Sequence, residues 1–271
     1  MHLSISHETT YRYEHPASYS IQVLRLTPRG YAGQSILRWE VTGNGRLLTP
    51  NGEDGFGNPI HTMTTQGDHQ SVTIRASGDV ITTNTDGVVG DAMERFPPLL
   101  YKRFTDYTAV DDRLAALADK AGAGAKDELD LAHRLMTAVR DAVEYDTTTT
   151  ESSHTATEAL ALGAGVCQDH AHIFIACARH LSLPARYVSG YLWSEGAVGP
   201  HEAGHAWAEA YVPDLGWVGF DVANRLCPTE DHVRVAVGLD YLNAAPVRGL
   251  RYGAADEILD VQVHIQQGYS Q

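Results

Sequence analysis

Apolar and polar positions alternate in short stretches through the first 90 residues of the chain, which predicts β-strands. Residues 20–26, 36–41 and 71–76 show this period of two or a short apolar run. Turn sequences rich in Asn, Asp and Gly separate these stretches. Several short strands joined by such turns are typical of a small antiparallel sandwich. The pattern therefore predicts an N-terminal β-domain over residues 1–95.

The pattern becomes helical after the Pro-Pro pair at 97–98, which fits neither a helix interior nor a central strand. We place a domain boundary there and predict a second domain over residues 96–250. Apolar residues spaced three and four apart predict helices at 111–121 and 126–143, and a short helix at 155–162.

A glycine-rich stretch precedes one further helix, predicted at residues 167–181, and strands follow it. Those strands are predicted at residues 185–193, 205–212 and 217–222. The tail, 251–271, contains a cleanly alternating segment, which predicts a last strand that returns to a sheet. The fold class predicted is α+β, with a helix carrying Cys167 packed on an antiparallel sheet.

Composition and charge exclude several classes of protein. The chain has 271 residues, 43% of them hydrophobic and 20% charged, as in folded globular proteins with one or two domains. The net charge of −14 disfavours nucleic acid and anionic membranes as partners. No apolar run approaches the roughly 18 residues of a membrane-spanning helix.

The cysteines and the N-terminal residues predict a cytoplasmic location. Three cysteines in a chain of 271 residues do not form a disulfide framework. The first residues lack a basic segment followed by an apolar one, so the sequence predicts no signal peptide.

Cys167 is a candidate nucleophile because it opens a predicted helix. Unpaired backbone N–H groups and the positive end of the helix dipole favour the thiolate, which is the reactive form of cysteine. A thiolate used in catalysis also needs a base, and that base needs an orienting group.

His205 and Asp221 are candidates for these two roles. His205 begins one predicted strand, Asp221 ends the next, and the turn at 213–216 joins them. If the two strands pair in antiparallel fashion, both side chains lie at the same edge of the sheet. Cys167, His205 and Asp221 would then form a thiol triad.

Four segments make the chain recognisable: residues 163–171, 184–191, 205–211 and 216–221. In this order they closely resemble the bacterial transglutaminase-like superfamily, whose members have a papain-like core. The N-terminal strands are also similar to the β-domain that precedes this core in many bacterial members. Where the family usually has Asp-Pro-Thr, this chain has Asp-Val-Ala-Asn at 221–224, which predicts a reshaped turn.

The resemblance implies a role for each candidate residue. Cys167 would be the nucleophile, His205 the general base and acid, and Asp221 the carboxylate that orients the histidine. Tyr145 holds a position where the family often has an aromatic hydroxyl, which makes it a candidate second donor to the oxyanion. Trp207 shares a strand face with His205 and could equally wall the site or belong to the core.

The implied reaction is acyl transfer from a peptide or carboxamide substrate through a thioester, with no cofactor. Transfer to water would make the protein a cysteine peptidase or amidase, and we favour this outcome. Transfer to an amine, as in protein cross-linking, is one alternative. A non-catalytic peptide-binding module on the same fold is another.

Residues 201–205 also match the HExxH pattern of zinc hydrolases. That motif binds zinc only on a helix, where the two histidines share one face. A Gly-Pro pair precedes the motif, a glycine interrupts it and strand-like alternation follows, so the sequence disfavours a metal site.

Overall fold

The computed structural model describes residues 1–90, 95–148, 154–195, 204–253 and 256–268. Within these ranges the strands are β1 (His2–Leu24), β2 (Gln34–Gly43), β3 (Arg46–Leu48), β4 (His61–Thr82), β5 (Val88–Gly90), β6 (Glu144–Tyr145), β7 (Ala164–Gly165), β8 (Ala185–Leu192), β9 (His205–Val212), β10 (Gly216–Phe220), β11 (His232–Gly238), β12 (Val247–Tyr252) and β13 (Glu257–Gln267). The helices are α1 (Asp112–Gly122), α2 (Glu128–Ala142), α3 (Ala156–Leu162), α4 (Cys167–His180) and α5 (Tyr241–Ala244). The α+β class is confirmed.

The N-terminal sheet has six antiparallel strands in the order β12-β1-β4-β2-β3, and β13 pairs with the first half of β1. β1 and β4 are 23 and 22 residues long, so the strands predicted at 20–26 and 71–76 are parts of much longer ones. The pairing of β1 with β4 is interrupted by register shifts on either side of Ala17.

This long sheet folds over on itself, which gives the predicted sandwich from one continuous sheet. Met63, near the start of β4, lies against Gly43, which pairs with Ile74 in the second half of β4. A side chain at Gly43 would therefore meet Met63. Residues from both halves share one buried cluster: Tyr13, Ala17, Leu24, Leu26, Val41, Met63, Val72, Ile74 and Ala76.

The second sheet has the order β11-β8-β9-β10-β5 and carries α4 on one face. α4 is buried along nearly its whole length, because its residues from Ala171 to Ala178 are apolar except for His172. It also contacts α1, α2 and α3, so it forms the centre of the larger hydrophobic core. None of the helices in the described ranges is both long and apolar enough to cross a membrane.

Strands cross between the two sheets near the predicted domain limits. β5 precedes residue 96 and pairs with β10 of the second sheet, whereas β12 and β13 return to β1. The limits 1–95, 96–250 and 251–271 stay predictions.

Two side-chain amides of the N-terminal domain bind the backbone of β11. The amide of Gln34 donates to the carbonyl of Arg234 and accepts its backbone N–H, both at 2.8 Å. Asn58 does the same with Val237, at 2.7 and 2.8 Å. An edge strand leaves such groups unpaired, so the two amides complete the edge of the second sheet.

A buried histidine joins the two sheets. His7 of β1 contacts the hydroxyl of Tyr191 of β8 through Nδ1, at 2.9 Å, and the hydroxyl of Thr9 through Nε2, at 3.0 Å. Burial lowers the pKa of His7 to about 4, because the charged ring would lose its hydration. The folded protein therefore holds this ring neutral at mildly acidic pH.

This difference in proton affinity predicts that acid weakens the folded state through His7. The unfolded chain protonates His7 below pH 6.5, whereas the folded protein resists protonation until about pH 4. The stability contribution is therefore present above pH 6.5 and is lost as the pH falls. We expect the titration of His7 to lower the free energy of unfolding by about 2 kcal/mol at pH 5 relative to pH 7.

Urea unfolding of wild type and His7→Gln at both pH values measures this effect. The variant should lose about 2 kcal/mol less between pH 7 and pH 5 than wild type. His264→Gln, which replaces an exposed histidine on the adjacent strand β13, is the matched control and should keep the wild-type pH dependence. Equal losses in all three proteins would contradict the prediction.

Candidate active site

Cys167 is the first residue of α4 and is half-buried. Gly163 ends α3 with a left-handed φ of 71°, which a glycine adopts without strain. Asp169 accepts the backbone N–H of Val166 at 2.8 Å and so holds the helix start. A Cβ at Gly165 would lie 2.7 Å from Oδ2 of Asp169, so this position also needs glycine. The sequence thus places the thiol at a tightly built helix N-terminus.

His205 and Asp221 lie together at one end of the second sheet. β9 and β10 pair in antiparallel fashion, with Phe220 opposite Ala208, so Asp221 follows β10 close to the start of β9. Nε2 of His205 is 2.7 Å from Oδ2 of Asp221. The juxtaposition expected from the two predicted strands is therefore present in the structure.

The carboxylate of Asp221 is fully buried and surrounded by donors. Besides His205, its Oδ2 accepts Nδ2 of Asn224 at 2.7 Å and Nε2 of His232 at 3.1 Å. Oδ1 accepts the backbone N–H of Asn224 at 3.3 Å. Burial alone would raise the pKa of Asp221, but these donors outweigh it and hold that pKa well below the usual range. Asp221 is therefore ionised at neutral pH.

His205 lies between this carboxylate and Cys167. Burial disfavours its charged form, but hydrogen bonds to Asp221 and to Cys167 outweigh burial and raise the pKa of His205 to about 10. Since Nε2 is used by Asp221, Nδ1 is the nitrogen left for Cys167. The structure thus joins His205 to Asp221 by a hydrogen bond and places it close enough to Cys167 for that side chain to raise its pKa.

Tyr145 is held beside the helix start by a short strand pair. β6 and β7 are parallel, with Tyr145 opposite Gly165, two residues before Cys167. The Tyr145 ring stacks on His170 with centroids 6.2 Å apart. Burial raises the pKa of Tyr145, and the charges of Cys167 and Asp221 raise it further, so Tyr145 lies within electrostatic range of both residues.

Trp207 is both a wall of the site and part of a core. Its ring lies 6.1 Å from that of His205 and 5.5 Å from that of His232, centroid to centroid. It is only 2% exposed and forms a small cluster with Val188 and Val237. The sequence left open whether Trp207 lines the site or belongs to a core, and in the structure it does both.

The HExxH match is not helical at its second histidine, since His205 begins strand β9. Residues 201–203 lie outside the described ranges. His205, Asp221 and His232 offer three atoms within 4.8 Å of one another, a spacing that a metal ion could also use. Both histidines, however, approach the same oxygen of Asp221 at hydrogen-bond distance. We therefore interpret this cluster as a hydrogen-bonded one.

Two family models match the chain. The model of the transglutaminase-like superfamily matches residues 115–222, and that of the bacterial transglutaminase-like N-terminal region matches residues 3–81. An uncharacterized protein of Mycobacterium leprae is 30% identical over 277 residues, which cover 97% of this chain and 98% of that protein. The chain belongs to the transglutaminase-like superfamily.

Other relatives have the same extent. An uncharacterized protein of Mycobacterium tuberculosis is 26% identical to this transglutaminase-like chain over 286 residues, covering 96% of this chain and 91% of that protein. The crystal structure of a candidate cysteine protease from Cytophaga hutchinsonii matches with a TM-score of 0.78 and 21% identity, covering 100% of this chain and 92% of that one. The shared fold therefore runs through both sheets, and membership of the superfamily supports a thiol enzyme as the general class.

The other two cysteines of this transglutaminase-like chain are placed differently. Cys177 is fully buried in α4, and burial raises the pKa of its thiol to about 12. Burial, together with the nearby charge of Asp86, also raises the pKa of Cys227. In the part of the chain that the structure describes, no histidine is hydrogen-bonded to either of these two thiols.

His232 and Asn224 were missed by the sequence reasoning. Asn224 lies only three residues after Asp221, and Asp-x-x-Asn is a common turn pattern in which the side chain bonds back to the backbone or a neighbour. His232 begins a strand with no feature that links it to Asp221, 11 residues earlier. Of the two contacts, only the one between His232 and Asp221 lacked a signal in the sequence.

The geometry predicts that Cys167 is alkylated faster than the other two thiols. At pH 6, iodoacetamide should modify Cys167 at least ~10-fold faster than Cys227, and Cys177 should stay unmodified in the folded protein. Peptide mass spectrometry after timed quenching measures all three rates in one sample.

His205→Ala tests whether the histidine causes this reactivity. The variant should slow Cys167 strongly at pH 6 and only weakly at pH 9, where an ordinary thiol is already largely ionised. His180→Ala, which removes a surface histidine paired with Asp119, is the control. Equal rates for Cys167 and Cys227 in wild type would contradict an activated thiol.

Proposed function

We propose that this protein is a thiol acyl-transfer enzyme in which Cys167 is the nucleophile, His205 the general acid and base, and Asp221 the orienting carboxylate. The observation that carries the proposal is the placement of His205, whose Nε2 is bonded to a buried carboxylate and whose pKa is raised by that carboxylate and by Cys167. A histidine held in this way stabilises a thiolate and keeps a proton available beside it.

In the first half of the reaction, the Cys167 thiolate attacks the carbonyl carbon of an amide and a C–S bond forms. The carbonyl oxygen takes the negative charge. The backbone N–H of Cys167 and the hydroxyl of Tyr145 are the donors we assign to this oxyanion. The His205 imidazolium then gives its proton to the nitrogen, the C–N bond breaks, and the amine leaves a thioester behind.

In the second half, an incoming nucleophile attacks the thioester while His205 accepts its proton. The C–S bond breaks and the thiolate is restored. Water gives a carboxylic acid, whereas an amine gives a new amide. We favour water because Cys167 is half-buried rather than enclosed, so solvent reaches the thioester. The substrate class is a peptide or a glutamine-type carboxamide.

The proposal predicts a covalent thioester that depends on Cys167. Incubation with a pool of glutamine-containing peptides and peptide aminomethylcoumarins, followed by acid quenching, should yield an acyl adduct on Cys167 in intact-mass spectra. Cys167→Ala should form no adduct and show no turnover, whereas Cys227→Ala should keep both.

Product masses distinguish the two acceptors. Hydrolysis of a carboxamide replaces NH₂ by OH and adds about 1 Da, whereas transfer to added glycine ethyl ester adds the mass of that amine less ammonia. A peptide that binds tightly to wild type but never forms an adduct would favour the non-catalytic binding module instead.

Tyr145→Phe tests the second oxyanion donor. Removing one such donor in other acyl-transfer enzymes costs about 10²-fold in kcat, and we expect a loss of that order with little change in KM. Tyr252→Phe, at a tyrosine that is 78% exposed on β12, should leave kcat unchanged. An increase in KM of the same order, with kcat unchanged, would instead assign Tyr145 a role in substrate binding.

A further inference from the structure

A second histidine binds the oxygen of Asp221 that His205 uses. Nε2 of His232 lies 3.1 Å from Oδ2 of Asp221, and His205 approaches the same oxygen at 2.7 Å. We propose that His232 is a positioning residue that holds the Asp221 carboxylate in the orientation required by His205. The proposal rests on the proposed function, because it assigns His232 a part in activating Cys167.

The tautomer of His232 follows from its two partners. The backbone N–H of Thr229 donates to Nδ1 at 3.1 Å, so Nδ1 carries a lone pair. The neutral ring then carries its proton on Nε2, which points at Asp221. A protonated ring would lose the bond from Thr229. The loop before β11 thus selects the neutral tautomer in which His232 donates to the carboxylate.

Burial separates the role of His232 from that of Asn224. His232 is 4% exposed, whereas Asn224 is exposed to solvent. If the Asn224 amide is removed, water can take its place at Asp221. If the His232 ring is replaced by an apolar one, a buried charged oxygen loses a donor that water cannot replace.

The difference in exposure between His232 and Asn224 predicts which way the Asp221 carboxylate turns when the His232 donor is lost. A carboxylate that loses its buried donor gains by turning toward the solvent on the Asn224 side. Such a turn weakens the bond to His205, so the His205 imidazolium and the Cys167 thiolate lose their stabilisation. Among the described residues, the titratable groups that interact with Asp221 are His205 from β9, His232 from β11 and Tyr145 from β6.

The test is the alkylation rate of Cys167 by iodoacetamide between pH 4 and pH 9, with EDTA present, in wild type and three variants. His232→Phe keeps the ring volume but removes the donor. We expect its rate at pH 6 to fall about 10-fold and its half-maximal pH to move up by about one unit. His232→Gln, whose amide can still donate, should recover part of the rate. His180→Phe, at a surface histidine paired with Asp119, should match wild type.

A rate at pH 6 in His232→Phe that equals or exceeds the wild-type rate would overturn the proposal, because the carboxylate would then be held without His232. This result is distinct from failure of the proposed function, in which Cys167 of wild type reacts no faster than Cys227.

Nitrogen NMR of the wild-type protein gives a second test that needs no variant. When the His232 ring is neutral, it should carry its proton on Nε2 and leave Nδ1 unprotonated. A neutral ring that carries its proton on Nδ1 would contradict the bond from Thr229 and overturn the proposal, even if His232→Phe does not fold.

Discussion

The buried carboxylate of Asp221 is the constraint on which the rest of the site depends. A charge removed from water is costly unless donors replace the lost hydration. Here the donors come from separate parts of the fold: His205 begins β9, His232 begins β11, and Asn224 lies in the turn after β10. Oδ2 of Asp221 thus accepts hydrogen bonds from three segments of the chain. Its bond to His205 fixes the position of that histidine in the site.

The helix that carries Cys167 is fixed at both ends. At its start, Asp169 bonds the backbone N–H of Val166. Near its end, the buried guanidinium of Arg179 donates to the carbonyls of Tyr101, Ala185 and Leu239. A cation there also suits the negative end of the helix dipole. Because α4 packs against β8 and β9, the Cys167 thiol keeps a constant position relative to the end of the sheet that carries His205.

The N-terminal domain contributes to this rigidity from a distance. Gln34 and Asn58 bind the backbone of β11, the strand that begins with His232. In addition, β5 extends the second sheet, and the buried contact between His7 and Tyr191 joins β1 to β8. Residues 1–90 therefore bond to the second sheet at β11, β8 and β10, on both sides of β9, which begins with His205.

Local patterns in the sequence determined the elements and most of the candidate site. The glycines before Cys167 and the apolar run after it predict a helix start. The alternation in 205–212 and the short turn at 213–216 predict that His205 and Asp221 meet. Such features depend on neighbouring residues, so periodicity and turn chemistry reveal them. The tertiary structure alone decided that His232 reaches Asp221, that β1 and β4 form one folded-over sheet, and that Gln34 and Asn58 complete β11. These contacts join residues distant along the chain, and their partners depend on how the sheets pack, which no local pattern encodes.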